Sequence, residues 1–335
     1  MNLNERISLF SSLAEVLSGK INSIHEKVLD EAIQLNPWFT KENINDSLNS
    51  IVCMLDEDAL HCWIKDYDLK DHERKDILII TAGNIPLVGF HDLLCVLICG
   101  HNAVVKFSSK DNVLMKYVVD SLITIDKRIK ERIKIIDNIV DCNFDALIAT
   151  GSDNSSKYFN YYFKDYKSII RKNRRSIAIL DGKESENDLK LLSKDIFMYF
   201  GLGCRNVSKL YLPLGYDTDK LFNAFFDYKD VINHLKYSNN YDYNKTVYLM
   251  NSEKLLDNGF VLLKEDQSIQ SPVATVFYEF YNDREVLNKY IDDNSSLFQC
   301  VVSKDDIPFG KSQLPELNDY ADQIDVCIND LSCIN

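Results

Sequence analysis

Glycine and proline are scarce in this chain, at 11 and 6 of 335 residues, and no long Gly/Ser linker, low-complexity tract or internal repeat interrupts it. No apolar run approaches the roughly 20 residues that a membrane-spanning helix needs. The first residues, Met1 to Arg6, lack the basic and apolar regions of a secretory leader, so a cytoplasmic protein is expected. An excess of positive charge is missing too: the net charge of −13 repels a phosphate backbone and argues against nucleic acid as a partner. The histidines (25, 61, 72, 91, 101 and 234) show no HExxH spacing. The nine cysteines, at positions 53, 62, 95, 99, 142, 204, 300, 327 and 333, are odd in number and several lie inside apolar runs, which points to reduced thiols and not to a disulfide framework. Neither Cys95 with Cys99 nor Cys327 with Cys333 is matched by a second ligand pair, so no metal site is expected.

What is present is enough apolar residue, 46% of the chain, to bury a substantial core, and the length suits two domains. From Leu3 to about Tyr67 the apolar spacing is helical, broken at Pro37. Beyond it, strand and helix patterns alternate: strand 76–81, helix 93–98, strand 103–107, helix 113–132, strands 133–136 and 146–150, a helix from Ser155 and strand 176–180. Such exchange predicts a parallel, doubly wound sheet. After Asp181-Gly182 a second α/β series follows, with a helix ending near Cys204, strand 208–212, helix 218–234, strands 247–250, 260–263, 274–280 and 298–302, and a helix reaching Ile291. The expected organisation is a helical region at 1–74 packed on a dinucleotide-binding domain at 75–182, a nucleophile domain at 183–310, and an unassigned segment at 311–335.

Two short segments carry the chemistry. Gly83-Asn84-Ile85-Pro86 leaves the first strand, and Gly201-Leu202-Gly203-Cys204-Arg205 closes an amphipathic stretch. A cysteine flanked by glycines at a helix end can be exposed, with thiolate formation and close approach of a carbonyl both open to it. Most cysteines in such a setting are merely small buried hydrophobes. An asparagine amide could hold a developing oxyanion, although Gly-Asn-x-Pro is also ordinary turn chemistry. Lys106 follows a buried strand, where open α/β sheets place ligand contacts; a solvated lysine is the plainer reading. Thr150-Gly151-Ser152 lies between a strand and a helix and could face a phosphate, or be a common loop. There is no GxGxxG.

Taken in order, Gly83-Asn84-Ile85-Pro86-Leu87-Val88-Gly89, Val104 to Lys110, Ala149-Thr150-Gly151-Ser152, Asn173-Arg174-Arg175-Ser176 and Gly203-Cys204-Arg205 resemble the aldehyde dehydrogenase superfamily. Within it, the chain is similar to the acyl-CoA reductases of the kind that serve bacterial luminescence, over about Lys75 to Gly310. The resemblance implies a doubly wound Rossmann-type cofactor domain joined to a second α/β catalytic domain. It implies Cys204 as the nucleophile, with its backbone N–H and the Asn84 side chain as oxyanion donors, and Lys106, Ser108, Ser109, Lys110, Thr150, Gly151 and Ser152 along the cofactor. Relatives often carry a glutamate three residues after the lysine that favours an unphosphorylated ribose; here Ser109 followed by Lys110 favours NADP(H).

Hydrolytic relatives carry a glutamate about thirty residues before the nucleophile, where it activates water. Arg171 falls there, and no carboxylate occurs between Asp165 and Asp181. That departure implies an acyl-thioester reductase with CoA as co-substrate, more than an aldehyde dehydrogenase making free acid or a catalytically silent nucleotide-binding member. The basic run containing Arg171, Arg174 and Arg175 is a candidate for the CoA phosphates, or a solvated strand edge. Gln270-Ser271-Pro272-Val273 stands where the family has a glutamate and a phenylalanine on the nicotinamide ribose. The expected partner is an acyl-CoA or acyl-carrier thioester, with a homo-oligomer compatible. His91 is the nearest base for a competing Cys-His hydrolase.

Overall fold

The structure is a computed structural model that describes residues 1–19, 23–65, 67, 69, 74–139 and 142–320. His72, Cys327 and Cys333 lie outside the described residues, as does most of the 311–335 segment. Two compact units are formed, one from Met1–Asn173 with Glu316–Asn335, the other from Arg174–Pro315.

The first unit opens with four helices, α1 (Leu3–Ser18), α2 (Ser23–Leu35), α3 (Lys41–Met54) and α4 (Glu57–Ile64). Local chemistry starts them: Asn2 and Glu5 form a reciprocal capping box on α1, and Thr40 and Asp56 cap α3 and α4. Then come β1 (Asp76–Ile80), α5 (Phe90–Ile98), β2 (Asn102–Lys106), α6 (Asn112–Ile125), β3 (Ile133–Ile135), β4 (Ala146–Thr150), α7 (Asp153–Tyr162) and β5 (Lys167–Arg171). The strands pair in the order β3-β2-β1-β4-β5, all parallel. Because side chains alternate across a strand, Ile77 and Ile79 of β1 enter the larger core with α1, α3, α5 and α6, whereas Leu78 and Ile80 enter a smaller one with Phe159 and Phe163. Apolar residues on both faces are what a sheet covered by helices on both sides requires.

The second unit contains β6 (Arg175–Ile179), α8 (Glu186–Phe197), β7 (Val207–Pro213), α9 (Asp219–Phe225), α10 (Leu235–Met250), β8 (Leu256–Asp257), β9 (Leu262–Glu265), β10 (Thr275–Tyr281), α11 (Arg284–Asp293) and β11 (Phe298–Val302). Its sheet runs β11-β6-β7-β10-β9-β8, parallel except for the β8–β9 pair. The strand at 175–179 therefore pairs with β7 and β11, and the chain passes between units at Asn173 and Arg174, ahead of the turn at Gly182. The expected strand at 247–250 is instead the last turn of α10. That helix buries only Tyr237, Tyr241 and Asn244, so its Val-Tyr-Leu-Met ending has the composition of a strand without a sheet to join.

Candidate functional site

In the first sheet the strand order reverses between β1 and β4, and the ends of β1, β2, β4 and β5 lie along one edge, the place where open α/β sheets bind ligands. The exposed Asn84 stands in the bend after β1. Its turn is held from several sides: Asn36 Nδ2 donates to the Gly83 carbonyl at 3.2 Å, Ser47 Oγ to the Pro86 carbonyl at 2.8 Å, and the Leu87 N–H to Asp111 Oδ2 at 2.7 Å. Leu87 itself is left-handed, with φ of 57°. The helical preface thus buttresses the Asn84 turn, a role for Asn36 and Ser47 that sequence reading missed. Asp111 was missed as well. It is buried, its Oδ1 has no hydrogen-bond partner, and burial pushes its carboxyl well above the usual range.

The loop after β2 packs on that turn. Ser108 N–H donates to Thr81 Oγ1 at 2.9 Å, Ser108 Oγ accepts from the Lys110 N–H at 3.3 Å, and a Cβ on Gly83 would stand 2.5 Å from Ser108 Oγ. Gly83 is therefore glycine because of this close approach. Lys106 and Ser109 line a cleft of about 1510 Å³, together with Asn112, Lys116, Glu31 and Asp137, which is ample for a nucleotide. Ser108 and Lys110 are not among its walls. After β4, the Ser152 hydroxyl caps α7 through the Ser155 N–H at 3.3 Å, and a Cβ on Gly151 would stand 2.8 Å from the Ser155 Cβ. The glycine there admits the helix closely, and the first N–H groups of α7 remain the local attraction for an anion.

Arg171, at the end of β5, is not a solvated strand-edge cation. Its Nη1 lies 2.6 Å from Asp92 Oδ1 in α5 and 3.4 Å from Thr150 Oγ1, and the two charged side chains are 10% and 5% exposed. The guanidinium thus joins α5, β4 and β5. His91, next to Asp92, is equally committed: its ring stacks on Tyr320 at 4.4 Å, its Nε2 lies 2.9 Å from the Leu317 carbonyl, and Nδ1 is 3.6 Å from Cys95 Sγ. This is a packed histidine of the first unit's core. Among the described residues, no group of three or more His, Cys, Asp or Glu side chains could hold a metal ion.

In the second unit, α8 ends and the chain passes through three left-handed residues, Tyr199 (φ 52°), Phe200 (φ 58°) and Gly201 (φ 75°), before the turn that bears Cys204. Non-glycine residues in that region cost on the order of 1–3 kcal/mol each, so surrounding contacts must hold them there. Phe200 packs on the His234 ring at 4.3 Å. Ser176 Oγ donates to the Cys204 carbonyl at 2.9 Å, Arg205 Nε donates to the Ser312 carbonyl at 2.5 Å, and buried Asp195 accepts from the Gly310 and Ser312 N–H groups at 2.6 and 3.0 Å. The Cys204 side chain is exposed. Crowding by protein nevertheless raises its thiol pKa, against the pull of Arg205, Arg175 and Arg174. Arg174 and Arg175 immediately precede Ser176, whose hydroxyl holds the Cys204 carbonyl. The segment 271–276 lines a small cavity with Phe200 and Gly201, so the Ser271-Pro272-Val273 departure does border the nucleophile loop.

Solved structures with the same architecture are aldehyde dehydrogenases. The Mycobacterium tuberculosis aldehyde dehydrogenase complexed with NAD+ superposes with a TM-score of 0.66 at 11% identity, over 90% of this chain and 73% of that one. Aldehyde dehydrogenase 21 from Physcomitrella patens, in complex with succinate, gives 0.64 at 15% identity, over 90% and 73%. The NADP-dependent glyceraldehyde-3-phosphate dehydrogenase of Bacillus halodurans, complexed with NADP, gives 0.61 at 12% identity, over 90% and 74%. At these identities the likeness is one of fold. No curated protein matches the sequence. The profile of the acyl-CoA reductase (LuxC) family matches residues 10–219. The chain, an aldehyde dehydrogenase-like oxidoreductase in family and fold, belongs to the acyl-CoA reductase (LuxC) family.

Proposed function

We propose that the protein is an NADPH-dependent acyl-CoA reductase in which Cys204 carries the acyl group as a thioester. Family membership supports the substrate class, and one observation carries the mechanism: an exposed cysteine in a turn held by buried hydrogen bonds. The Cys204 sulfur attacks the thioester carbonyl of an acyl-CoA or acyl-carrier substrate. The Cys204 proton leaves with the departing thiol, so the exchange is balanced. The Cys204 N–H and the Asn84 amide donate to the oxyanion, and the same donors serve both the acyl transfer and the later reduction.

In this reading the unit containing β1 to β5 takes the dinucleotide and the unit containing Cys204 takes the acyl group. Lys106 and Ser109, with the cleft they line, hold the adenosine end, and the start of α7 after Thr150-Gly151-Ser152 faces the pyrophosphate. When bound, the reduced nicotinamide supplies the hydride that turns the Cys204 thioester into the aldehyde. A hydroxyl at Ser109 and the cation at Lys106, both on the cleft wall, suit a 2′-phosphate. Arg174 and Arg175, at the start of the strand that holds the Cys204 turn, are the cations assigned to the CoA phosphates, and Arg171 pairs with Asp92. With an arginine in place of the water-activating glutamate, the thioester persists until a thiol or hydride takes it. A homo-oligomer fits this reading equally well.

The test is NADPH oxidation with acyl-CoAs from short to long, and the reverse assay with aldehyde and NADP+. Cys204→Ala should abolish aldehyde formation and leave nucleotide binding intact; turnover retained by this variant would sink the covalent mechanism. Wild type given aldehyde should release little free acid until CoA is added. Rapid acid release without CoA would make the protein an ordinary aldehyde dehydrogenase.

A further inference from the structure

Asn206 is 1% exposed, and both ends of its side-chain amide are engaged. Its Oδ1 accepts from the Gly203 N–H at 2.8 Å, and its own N–H donates to the Gly203 carbonyl at 3.2 Å. The Nδ2 group reaches the carbonyls of Asp195, Ile196 and Met198 at 3.1, 3.3 and 2.8 Å. Carbonyls in the last turn of a helix have no partner within it. One side chain therefore closes the turn across Cys204 and fastens it to the end of α8, directly behind the left-handed run at 199–201.

We infer that Asn206 is the positioning residue of the Cys204 turn, setting the direction of the thiol and of the Cys204 backbone N–H. The inference rests on Cys204 being the nucleophile. The amide acts on chemistry only through the turn: with both Gly203 backbone groups engaged by Asn206, the peptide planes on either side of Gly203, the second of which carries the Cys204 N–H, cannot rotate separately. A side chain that only capped α8 would lower the melting temperature and leave the reactivity of Cys204 unchanged.

Alkylation separates the two, because Cys300 is a second, buried thiol on β11 of the same unit and reports unfolding. In Asn206→Ala, iodoacetamide labelling read by mass spectrometry should show Cys300 still protected. The pH profile of Cys204 labelling should shift from that of wild type as the turn loosens and the thiol loses its fixed surroundings. Acyl-CoA turnover should fall about tenfold or more at unchanged nucleotide KM, since small misplacement of a reacting group is costly. If alanine exposes Cys300, Asn206→Ser, which keeps a hydroxyl for the Gly203 N–H, is read by the same criteria. A labelling profile and turnover within about twofold of wild type, with Cys300 protected, would overturn the inference. Full turnover in Cys204→Ala would overturn the functional reading instead, and the labelling result would still stand.

Discussion

The two units hold their candidate residues in different ways. In the first, Asn84, Lys106 to Lys110, Thr150 to Ser152 and Arg171 stand where strands end, so the register of a parallel sheet brings them to one edge. Close glycine contacts and short backbone hydrogen bonds then fit one loop to the next. In the second, Cys204 belongs to no strand or helix, and its place depends on side chains: Asn206, Asp195, Arg205 and Ser176. A sheet edge distributes the task over many weak contacts. The turn concentrates it in a few buried polar groups, each costly to lose.

The largest effect that would break this contrast is in the first unit itself. Arg171 and Asp92 are a buried ion pair, so Arg171→Met should cost about 3–5 kcal/mol in denaturant unfolding by leaving the Asp92 carboxylate stranded. The double variant Asp92→Leu/Arg171→Met should recover most of that loss. A single variant as stable as wild type would show that sheet register alone holds this edge. Next, Asn84→Ala should slow acyl-CoA reduction roughly a hundredfold, about the worth of one oxyanion donor, with Cys204 alkylation unchanged. An unaltered rate would return Asn84 to being a turn residue.

A smaller effect concerns Asp111, whose raised pKa means that the folded chain keeps a proton the unfolded chain loses near pH 4. Stability from this group is fully present below that pH and fades as pH rises toward the folded-state pKa. Asp111→Asn retains an acceptor for the Leu87 N–H and should match wild type at pH 4 while exceeding it at pH 8 in denaturant unfolding. Parallel stability curves for the two proteins would count against the burial argument. The mildest change is Ser109→Glu, which should move coenzyme preference from NADPH toward NADH several-fold, less so at high salt. Equal use of the two coenzymes by wild type would remove the basis for that expectation.

Much of the architecture was legible because β1, β2 and β4 announce themselves as short apolar runs separated by helical spacing. The strand at 175–179 continued that rhythm so evenly that nothing local revealed its partners, β7 and β11, far along the chain. The same limit applies around the site. Cys204 and Asn84 were visible as residue types in glycine-containing turns, but Asn206 matters through carbonyls on the preceding helix, and Asp111 through an N–H on another loop. Arg171 stood out for its charge; that the charge is spent on Asp92 depends on α5 lying beside β5, which no spacing encodes.

The stacking of Tyr320 on His91 has a consequence for biosynthesis. Residues 174–315 form one continuous unit, whereas the other is assembled from the first 173 residues and a piece that begins at Glu316. On a ribosome, the cover over His91 emerges only after residues 174–315 have been made. The nascent first unit must therefore wait, with that histidine uncovered, through translation of the whole of the second.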